Sequence, residues 1–310
     1  MENKEIKKIL CFLFFACILW ACPSFAANEA IVVVKQSGVK VYDRVLDGFE
    51  STTRARVRVV ETGGFGSEGR IIEAVHDSAA PIVFAIGEDS LARVADIKKR
   101  GLLASRILFA MALDPAEVLS PPCQATGVEM AIDPSVALDT LKKVLPQAKR
   151  LGVVYDPSKT GYVYSALVKA AKQRGMAVKG IAVSRPGQVP PALDSLAGKI
   201  DAIYMLPDVT VLDPINIEYM TEISLEKRIP VFAISEKYVE NGALLALGLD
   251  PFDIGRQAGE MVNRFLPCKK AICRADFARK GVLSINLRVA KILGIRIPDD
   301  VRKAAAEVVK

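Results

Sequence analysis

PQAKRLGVVYD, at residues 146–156, repeats the pattern of IVVVKQSGVKVYD at residues 31–43. Each stretch places a run of buried-type apolar residues before a polar loop and the start of a helical pattern. Apolar runs that alternate with helices of about 10–15 residues are typical of parallel strands in right-handed βαβ units. The chain therefore begins the same kind of unit twice.

The same alternation continues through most of the chain. We predict strands at residues 31–34, 57–61, 81–86, 106–112, 151–155, 178–183, 201–206, 230–234 and 243–247. We predict helices at residues 70–77, 90–100, 136–145, 162–174, 188–196, 215–227 and 253–265. One doubly wound sheet could hold all these strands, but a break around residues 127–134 favours two units. We therefore predict an α/β fold of two Rossmann-like lobes with parallel sheets, joined by a hinge of short strand-like segments.

The amino-terminal residues have the composition of an export signal. Lysines precede an apolar run at residues 9–22, which is shorter than the roughly 20 residues that span a bilayer. Ser24 and Ala26 form an S-x-A cleavage site, so residues 1–26 are predicted to be a signal peptide. LWAC, which ends at Cys22, resembles a lipoprotein box, and a lipid anchor at Cys22 is the alternative. Both alternatives predict a periplasmic protein.

Composition excludes several classes of protein. The formal net charge is +7, but the basic residues are scattered, so we expect no nucleic-acid partner. His76 is the only histidine, which argues against His-based catalytic triads and His-rich zinc sites. We expect no catalytic residues, no metal and no cofactor.

Cysteine usage suggests one small disulfide bond. Cys123, Cys268 and Cys273 follow the predicted signal, and the last two flank only four residues. In an oxidising compartment we expect Cys268 and Cys273 to pair and Cys123 to stay free. A metal site is the alternative for the pair, although no histidine accompanies it.

Residues 64–69 form a literal G-x-G-x-x-G, GFGSEG, between a predicted strand and a predicted helix. This spacing is the dinucleotide-binding fingerprint and would suggest a dehydrogenase. The motif follows the second predicted strand and not the first, and an exported protein has little access to nicotinamide cofactors. We therefore favour a flexible glycine-rich loop, with the dehydrogenase as a minor alternative.

Polar residues that could contact a small solute follow the predicted strands, where parallel α/β sheets bind ligands. Helix N-caps are the alternative role, which suits Ser90 and Ser235 in particular. The candidate binding residues are Ser37, Gly87, Glu88, Ser90, Asp114, Tyr155, Ser158, Thr160, Asp208, Thr210, Ser235 and Glu236.

Four of these candidates are acids that follow buried strands: Glu88, Asp114, Asp208 and Glu236. We expect them to give the space between the lobes a negative lining, which a cationic group of the solute would neutralise. Helix capping, or pairing with nearby Lys and Arg, is the alternative.

From residue 31 onward the chain resembles the ABC transporter solute-binding proteins typified by tryptophan- and tyrosine-binding proteins. The resemblance lies in PIVFAIGEDSLA, RILFAMALDP, ATGVEM, KKVLPQAKRLGVVYDPS, DAIYMLPDVTV, RIPVFAISEKYVENGALLALGLDPFDIGRQAGEM and INLRVAKILGIRIP, in that order. The segment that ends at Met261 is the most specific of them.

This resemblance implies a type I periplasmic-binding fold that captures an amino-acid-like solute and delivers it to an ABC permease in the inner membrane. It implies lobe I at residues 27–129 plus 249–282 and lobe II at residues 130–248 plus 283–310, in a protein that we expect to be a monomer. A sensory or partner-docking lipoprotein with the same fold is the alternative.

The chain also departs from this family at loops that contact ligand in relatives. Glu88-Asp89 replaces the usual Thr-Pro, Leu113 replaces Thr, and residues 159–162 replace an Asn-Ser loop. These departures imply a more cationic or otherwise different solute.

Overall fold

The computed structural model describes residues 30–64, 66–119, 125–265 and 275–310. Its strands are β1 (Ala30–Gln36), β2 (Arg56–Thr62), β3 (Ile82–Ile86), β4 (Arg106–Ala110), β5 (Ala125–Ile132), β6 (Arg150–Tyr155), β7 (Ala177–Ala182), β8 (Ala202–Tyr204), β9 (Val231–Ala233), β10 (Leu245–Leu249), β11 (Asp276–Ala278), β12 (Gly281–Asn286) and β13 (Glu307–Val309). Its helices are α1 (Lys40–Glu50), α2 (Ser67–Ser78), α3 (Glu88–Lys99), α4 (Pro115–Val118), α5 (Pro134–Val144), α6 (Pro157–Gln173), α7 (Val189–Leu196), α8 (Pro214–Lys227), α9 (Glu236–Glu240), α10 (Pro251–Phe265), α11 (Leu287–Leu293) and α12 (Asp299–Ala304).

The described strands form two separate sheets, which confirms the predicted two-lobed α/β fold. The first sheet has the order β2-β1-β3-β4-β5-β11, and the second has the order β7-β6-β8-β9-β10-β12-β13. Adjacent strands are parallel except β10 and β12, which are antiparallel. The exception arises because β12 enters the second sheet directly from β11 of the first.

β1 shows why these segments form buried strands. Residues 31–34 are completely buried, since helices cover both faces of a parallel sheet. Successive side chains point to opposite faces, so Val32 and Val34 enter one core of the first lobe and Ile31 and Val33 enter the other. A continuous apolar run, and not an alternating one, is therefore the sequence pattern of this strand.

Within the described residues, three crossovers connect the lobes, at Asp133, at Asp250 and at residues 279–280. Hydrogen bonds hold them side by side: Asp133 N donates to Ala278 O at 2.9 Å, and Lys280 Nζ donates to Asp250 Oδ2 at 2.8 Å. The break predicted around residues 127–134 is mostly strand, because β5 continues to Ile132 and the chain changes sheet only after it. The exact lobe boundaries at residues 129, 248 and 282 stay a prediction.

Helices α1 and α10 meet almost backbone to backbone in the first lobe. A Cβ atom on Gly255 would overlap the carbonyl oxygen of Val45, and one on Gly48 would overlap that of Phe252. Thr52 Oγ1 also donates to Arg256 O at 3.0 Å. The glycines therefore permit a contact that any larger residue would prevent.

The glycine-rich motif lies away from the centre of the first sheet. It follows β2, which is an edge strand, whereas doubly wound sheets bind dinucleotides at a central switch point. Its Phe65 is outside the described residues. This position favours the interpretation of the motif as a glycine-rich loop.

The predicted signal peptide, Cys22, Cys123 and the Cys268–Cys273 pair are also outside the described residues, so these predictions stay open. Within the described part of the chain, every helix is too short or too polar to span a membrane.

Candidate functional site

The carboxyl ends of the two sheets face each other, and side chains make contact between the lobes. Lys159 at the start of α6 donates to Asp114 Oδ2 at 2.7 Å and to Glu117 Oε2 at 2.5 Å, and both acceptors belong to the first lobe. The space between the loops that follow β3, β4, β6, β8 and β9 is therefore the candidate site.

A buried hydrogen-bond network orders the second-lobe side of this space. Asp208, which follows β8, is fully buried. Its Oδ2 accepts from Asp156 N at 2.7 Å and from the hydroxyl of Thr160, and its Oδ1 accepts from Thr210 N at 3.0 Å. Thr210 Oγ1 donates in turn to Asp156 Oδ2 at 2.9 Å. The loops after β6 and β8 are thus tied to each other through side chains.

The structure differs from the predicted negative lining at Asp208. This residue has no exposed surface, and both of its oxygens accept hydrogen bonds from neighbouring loops. A carboxylate satisfied in this way has a favourable environment without a ligand cation. Asp208 shapes the cleft and does not face it.

Asp156 begins α6 as its N-cap, with Pro157 in the first helical position. Its Oδ1 accepts from Ser158 Oγ at 2.7 Å and from Ser158 N at 2.9 Å. The hydrogen bond from the Ser158 hydroxyl, followed by the other donors, lowers the pKa of Asp156 despite its burial. Asp156 therefore stays ionised and holds the exposed Ser158 in place.

The other second-lobe candidates lie in different surroundings. The Tyr155 ring stacks on Tyr164 of α6, with centroids 4.1 Å apart and planes 12° apart. Ser235 occupies the N-cap position of α9, as predicted, but its side chain makes no capping hydrogen bond. Glu236 is exposed beside it.

Backbone geometry shapes the first-lobe side. Gly87 has φ +91°, and a Cβ atom there would lie 2.5 Å from the Tyr42 hydroxyl oxygen. Gly87 N donates to Ala110 O at 2.9 Å, which joins the ends of β3 and β4. Met111, next along the chain, has φ +60°, an unusual value for a residue with a side chain. The loops after β3 and β4 therefore depend on positive φ angles at Gly87 and Met111 for their conformation.

The candidate polar side chains on the first-lobe side of the cleft make few hydrogen bonds among the described residues. Glu88 is exposed, and its Oε2 accepts from Leu113 N at 3.2 Å. Ser90 is buried inside the first turn of α3, so it is not the N-cap that we predicted, and its hydroxyl has no hydrogen-bond partner among the described residues. Ser37 is exposed and donates to Thr62 O at 3.3 Å.

A second contact between the lobes lies nearer the crossovers. The Tyr162 hydroxyl of α6 donates to Glu129 Oε2 of β5 at 2.8 Å, and the Tyr162 ring stacks on Phe277 of β11 at 6.3 Å. Burial raises the pKa of Glu129, and the hydrogen bond from Tyr162 offsets only part of this effect. Glu129 is thus a carboxylate that desolvation destabilises.

Sequence reasoning missed Glu117, Glu129, Lys159 and Tyr162 as site residues. Lys159 is 45 residues from Asp114 and 42 from Glu117, and Tyr162 is 33 from Glu129. These pairs join residues of different lobes, so no local pattern marks them. The departure from the family loop at residues 159–162 was the one available signal.

Apolar groups line the cleft next to the crossovers. A cavity of about 30 Å³ lies between β5 and the ends of β8, β9 and β10, and its lining includes Met130, Tyr204 and Phe232. The rings of Tyr204 and Phe232 are 5.1 Å apart. The cavity can hold ordered water but is too small for an amino acid in this structure.

A family model described as ABC transporter substrate binding protein matches residues 116–309, which is more than half of the chain. A tyrosine-binding protein of Clostridioides difficile (strain R20291) is 28% identical over 171 residues, which are 53% of this chain and 49% of that protein. The matching part therefore spans about half the length of that relative.

Solved structures share the fold over most of the chain. The complex of an ABC domain with L-Trp from Streptococcus pneumonia has a TM-score of 0.55 at 19% identity, and covers 91% of this chain and 100% of that one. The ligand-free, open structure of a substrate binding protein with adhesive properties from Clostridium difficile has a TM-score of 0.63 at 20% identity. This match covers 91% of the present chain and 99% of the other. At these identities the likeness shows a common fold.

Proposed function

Because the chain belongs to the family of ABC transporter substrate binding proteins, we propose that it captures a small amino-acid-like solute between its two lobes for an ABC importer. The observation that carries this proposal is the arrangement of two parallel sheets whose carboxyl ends face each other across a cleft, with three adjacent crossovers behind it. Proteins of this family work outside the cytoplasm and bind solutes without chemical conversion, which is why we prefer this role to sensing or partner docking.

Hinge closure is the proposed mechanism. The crossovers at Asp133, Asp250 and residues 279–280 contain few residues and connect two lobes with separate cores. A change of backbone angles at these points would move each lobe as a rigid body. Solute that contacts both lobes binds the closed form better and shifts the equilibrium toward it. The closed form is then the one delivered to a permease in the membrane.

We propose distinct roles for the candidate residues. Asp156, Thr160, Asp208 and Thr210 hold the second-lobe loops in shape, since their polar atoms already bond to each other. The candidates with exposed or unbonded polar atoms are proposed to meet the solute: Ser37, Glu88, Ser90, Ser158, Ser235 and Glu236.

The amino-acid class of the solute rests on the relatives, of which one is named for tyrosine and another holds L-Trp. Glu88 distinguishes this chain, because an exposed carboxylate at the start of α3 suits an ammonium or another cationic group of the solute. The apolar residues near the crossovers suit a hydrocarbon portion.

The test is mass spectrometry of the solute that co-purifies with the protein, followed by calorimetry with amino acids, polyamines and aromatic solutes. We expect one saturable solute, and a roughly fivefold weaker affinity in Glu88→Gln. Glu73→Gln is the matched control, because Glu73 is exposed on α2 of the same lobe. A protein that carries no solute and binds no member of the panel would contradict the proposed function.

A further inference from the structure

The two ion pairs of Lys159 connect elements that no crossover joins directly. Lys159 belongs to α6 of the second lobe, whereas Asp114 and Glu117 belong to the segment of α4 in the first lobe. Movement of the lobes away from each other must therefore break both contacts. Among the described residues, these ion pairs join the two lobes on the side of the cleft away from the crossovers.

Both sides of this contact are held in position before they meet. Asp114 is the N-cap of α4, and its Oδ1 accepts from Glu117 N at 3.2 Å while its Oδ2 faces Lys159. On the other side, the hydroxyl of Thr160, the next residue, donates to the buried Asp208, and Thr160 departs from helical geometry with φ −120° and ψ 15°. A lysine on such an anchored turn loses less conformational entropy on pairing than one on a mobile loop.

The contact with Asp114 is partly shielded from water, whereas Glu117 is 69% exposed. The side chain of Asp114 is 14% exposed and that of Lys159 is 29% exposed, which is less than in most surface ion pairs of this protein. The nearby Glu129 and Tyr162 belong to the same region, because Asp114 acts electrostatically on both. Two carboxylates of the first lobe thus meet one ammonium of the second, and a third carboxylate, Glu129, bonds to Tyr162 of the same helix.

We propose that Lys159 is a tethered cation that draws the lobes together when no solute is bound. Its ammonium bonds to Asp114 and Glu117 across the cleft, so the closed form is populated before binding. This inference rests on the hinge closure of the proposed function. We call the ion pairs of Lys159 with Asp114 and Glu117 the latch. The latch reduces the difference in affinity for the closed and open forms that a solute needs in order to close the lobes.

The experiment measures the radius of gyration of solute-free protein by small-angle X-ray scattering. Lys159→Met removes the cation, and Lys159→Arg keeps it. Lys169→Met is the matched control, because Lys169 is exposed on the same helix and has no ion pair among the described residues. We expect Lys159→Met to have a larger radius of gyration than wild type, because its open population rises several-fold. Lys159→Arg and Lys169→Met should have the radius of gyration of wild type.

Salt and the opposite lobe provide independent checks. In about 1 M NaCl the Debye length falls to about 3 Å, so wild type should expand toward the dimensions of Lys159→Met while that variant stays unchanged. The double change Asp114→Asn with Glu117→Gln should reproduce the expansion from the first-lobe side. Circular dichroism before scattering shows that each variant is folded.

The latch is overturned if Lys159→Met has the same radius of gyration as wild type, or if Lys169→Met expands equally. These measurements contain no solute, so they separate the two proposals. If calorimetry finds no solute, the proposed function is contradicted and the latch is not. If a solute binds but the Lys159 variants have the dimensions of wild type, the latch is contradicted and the proposed function is not.

Discussion

The two sides of the cleft are ordered by different means. On the second-lobe side, the carboxylates of Asp156 and Asp208 accept hydrogen bonds from the amides and hydroxyls of neighbouring loops. On the first-lobe side, Gly87 and Met111 adopt positive φ angles, while Glu88 makes one hydrogen bond to the backbone. In a side-chain network the polar atoms already have hydrogen-bond partners. In a loop shaped by its backbone, the polar side-chain atoms can still bond to a ligand. The loops of the first-lobe side are therefore shaped by their backbone, and those of the second-lobe side by a side-chain network.

The largest effect should come from removing the centre of the second-lobe network. Asp208→Ala deletes three acceptor contacts and leaves Asp156 N and Thr210 N buried without that partner. We expect a loss of about 3 kcal/mol in the free energy of unfolding, measured by urea denaturation. Glu88→Ala on the first-lobe side, with one hydrogen bond at an exposed position, should cost less than about 1 kcal/mol. Equal losses in the two variants would show that the lobes are not ordered differently.

A smaller loss should follow from a change in backbone freedom on the first-lobe side. Gly87→Ala places a Cβ atom 2.5 Å from the Tyr42 hydroxyl oxygen at φ +91°. We expect a cost of about 2 kcal/mol by the same urea measurement. Gly187→Ala is the control, because no atom lies within 4 Å of its added Cβ. If both alanine variants unfold like wild type, the loop does not depend on a glycine conformation.

The smallest effects concern pH, and they should have opposite signs on the two sides. The pKa of Asp156 is lowered from 3.8, so its stabilisation is present above the unfolded pKa and is lost as the pH falls through and below that value. The pKa of Glu129 is raised from 4.5, so its ionisation destabilises the fold at neutral pH, and this cost disappears as the pH falls toward 4.5.

Urea denaturation between about pH 7 and about pH 3 tests both signs, with an expected size near 1 kcal/mol. Asp156→Asn should lose the acid-dependent fall in stability, and Glu129→Gln should lose the gain between neutral pH and about pH 4.5. The same pH profile in wild type and both variants would contradict the contrast between the lobes.

The sequence predicted the sheets better than the site. Apolar runs such as residues 31–34 predict buried strands because both faces of β1 are covered. The chain changes sheet at Asp133, within the break predicted around residues 127–134, but most of that range is strand because β5 carries polar Thr126 and Glu129. Burial of Asp208 could not be predicted, since its partners at Asp156 and Thr160 are 52 and 48 residues away. Hydrogen bonds over such separations depend on the arrangement of strands and leave no periodic pattern.

The close contact of α1 with α10 also determines the order in which the protein can be assembled. Thr52 bonds to Arg256 across 204 residues of chain, and β11 pairs with β5 only after α10 has been made. The first lobe therefore cannot complete its core while the ribosome is still making the second. The second lobe also waits for the end of the chain, because β12 and β13 are made last and join its sheet beside β10. We therefore expect neither lobe to complete its core before synthesis ends. The protein thus emerges from the ribosome with both lobes unfinished.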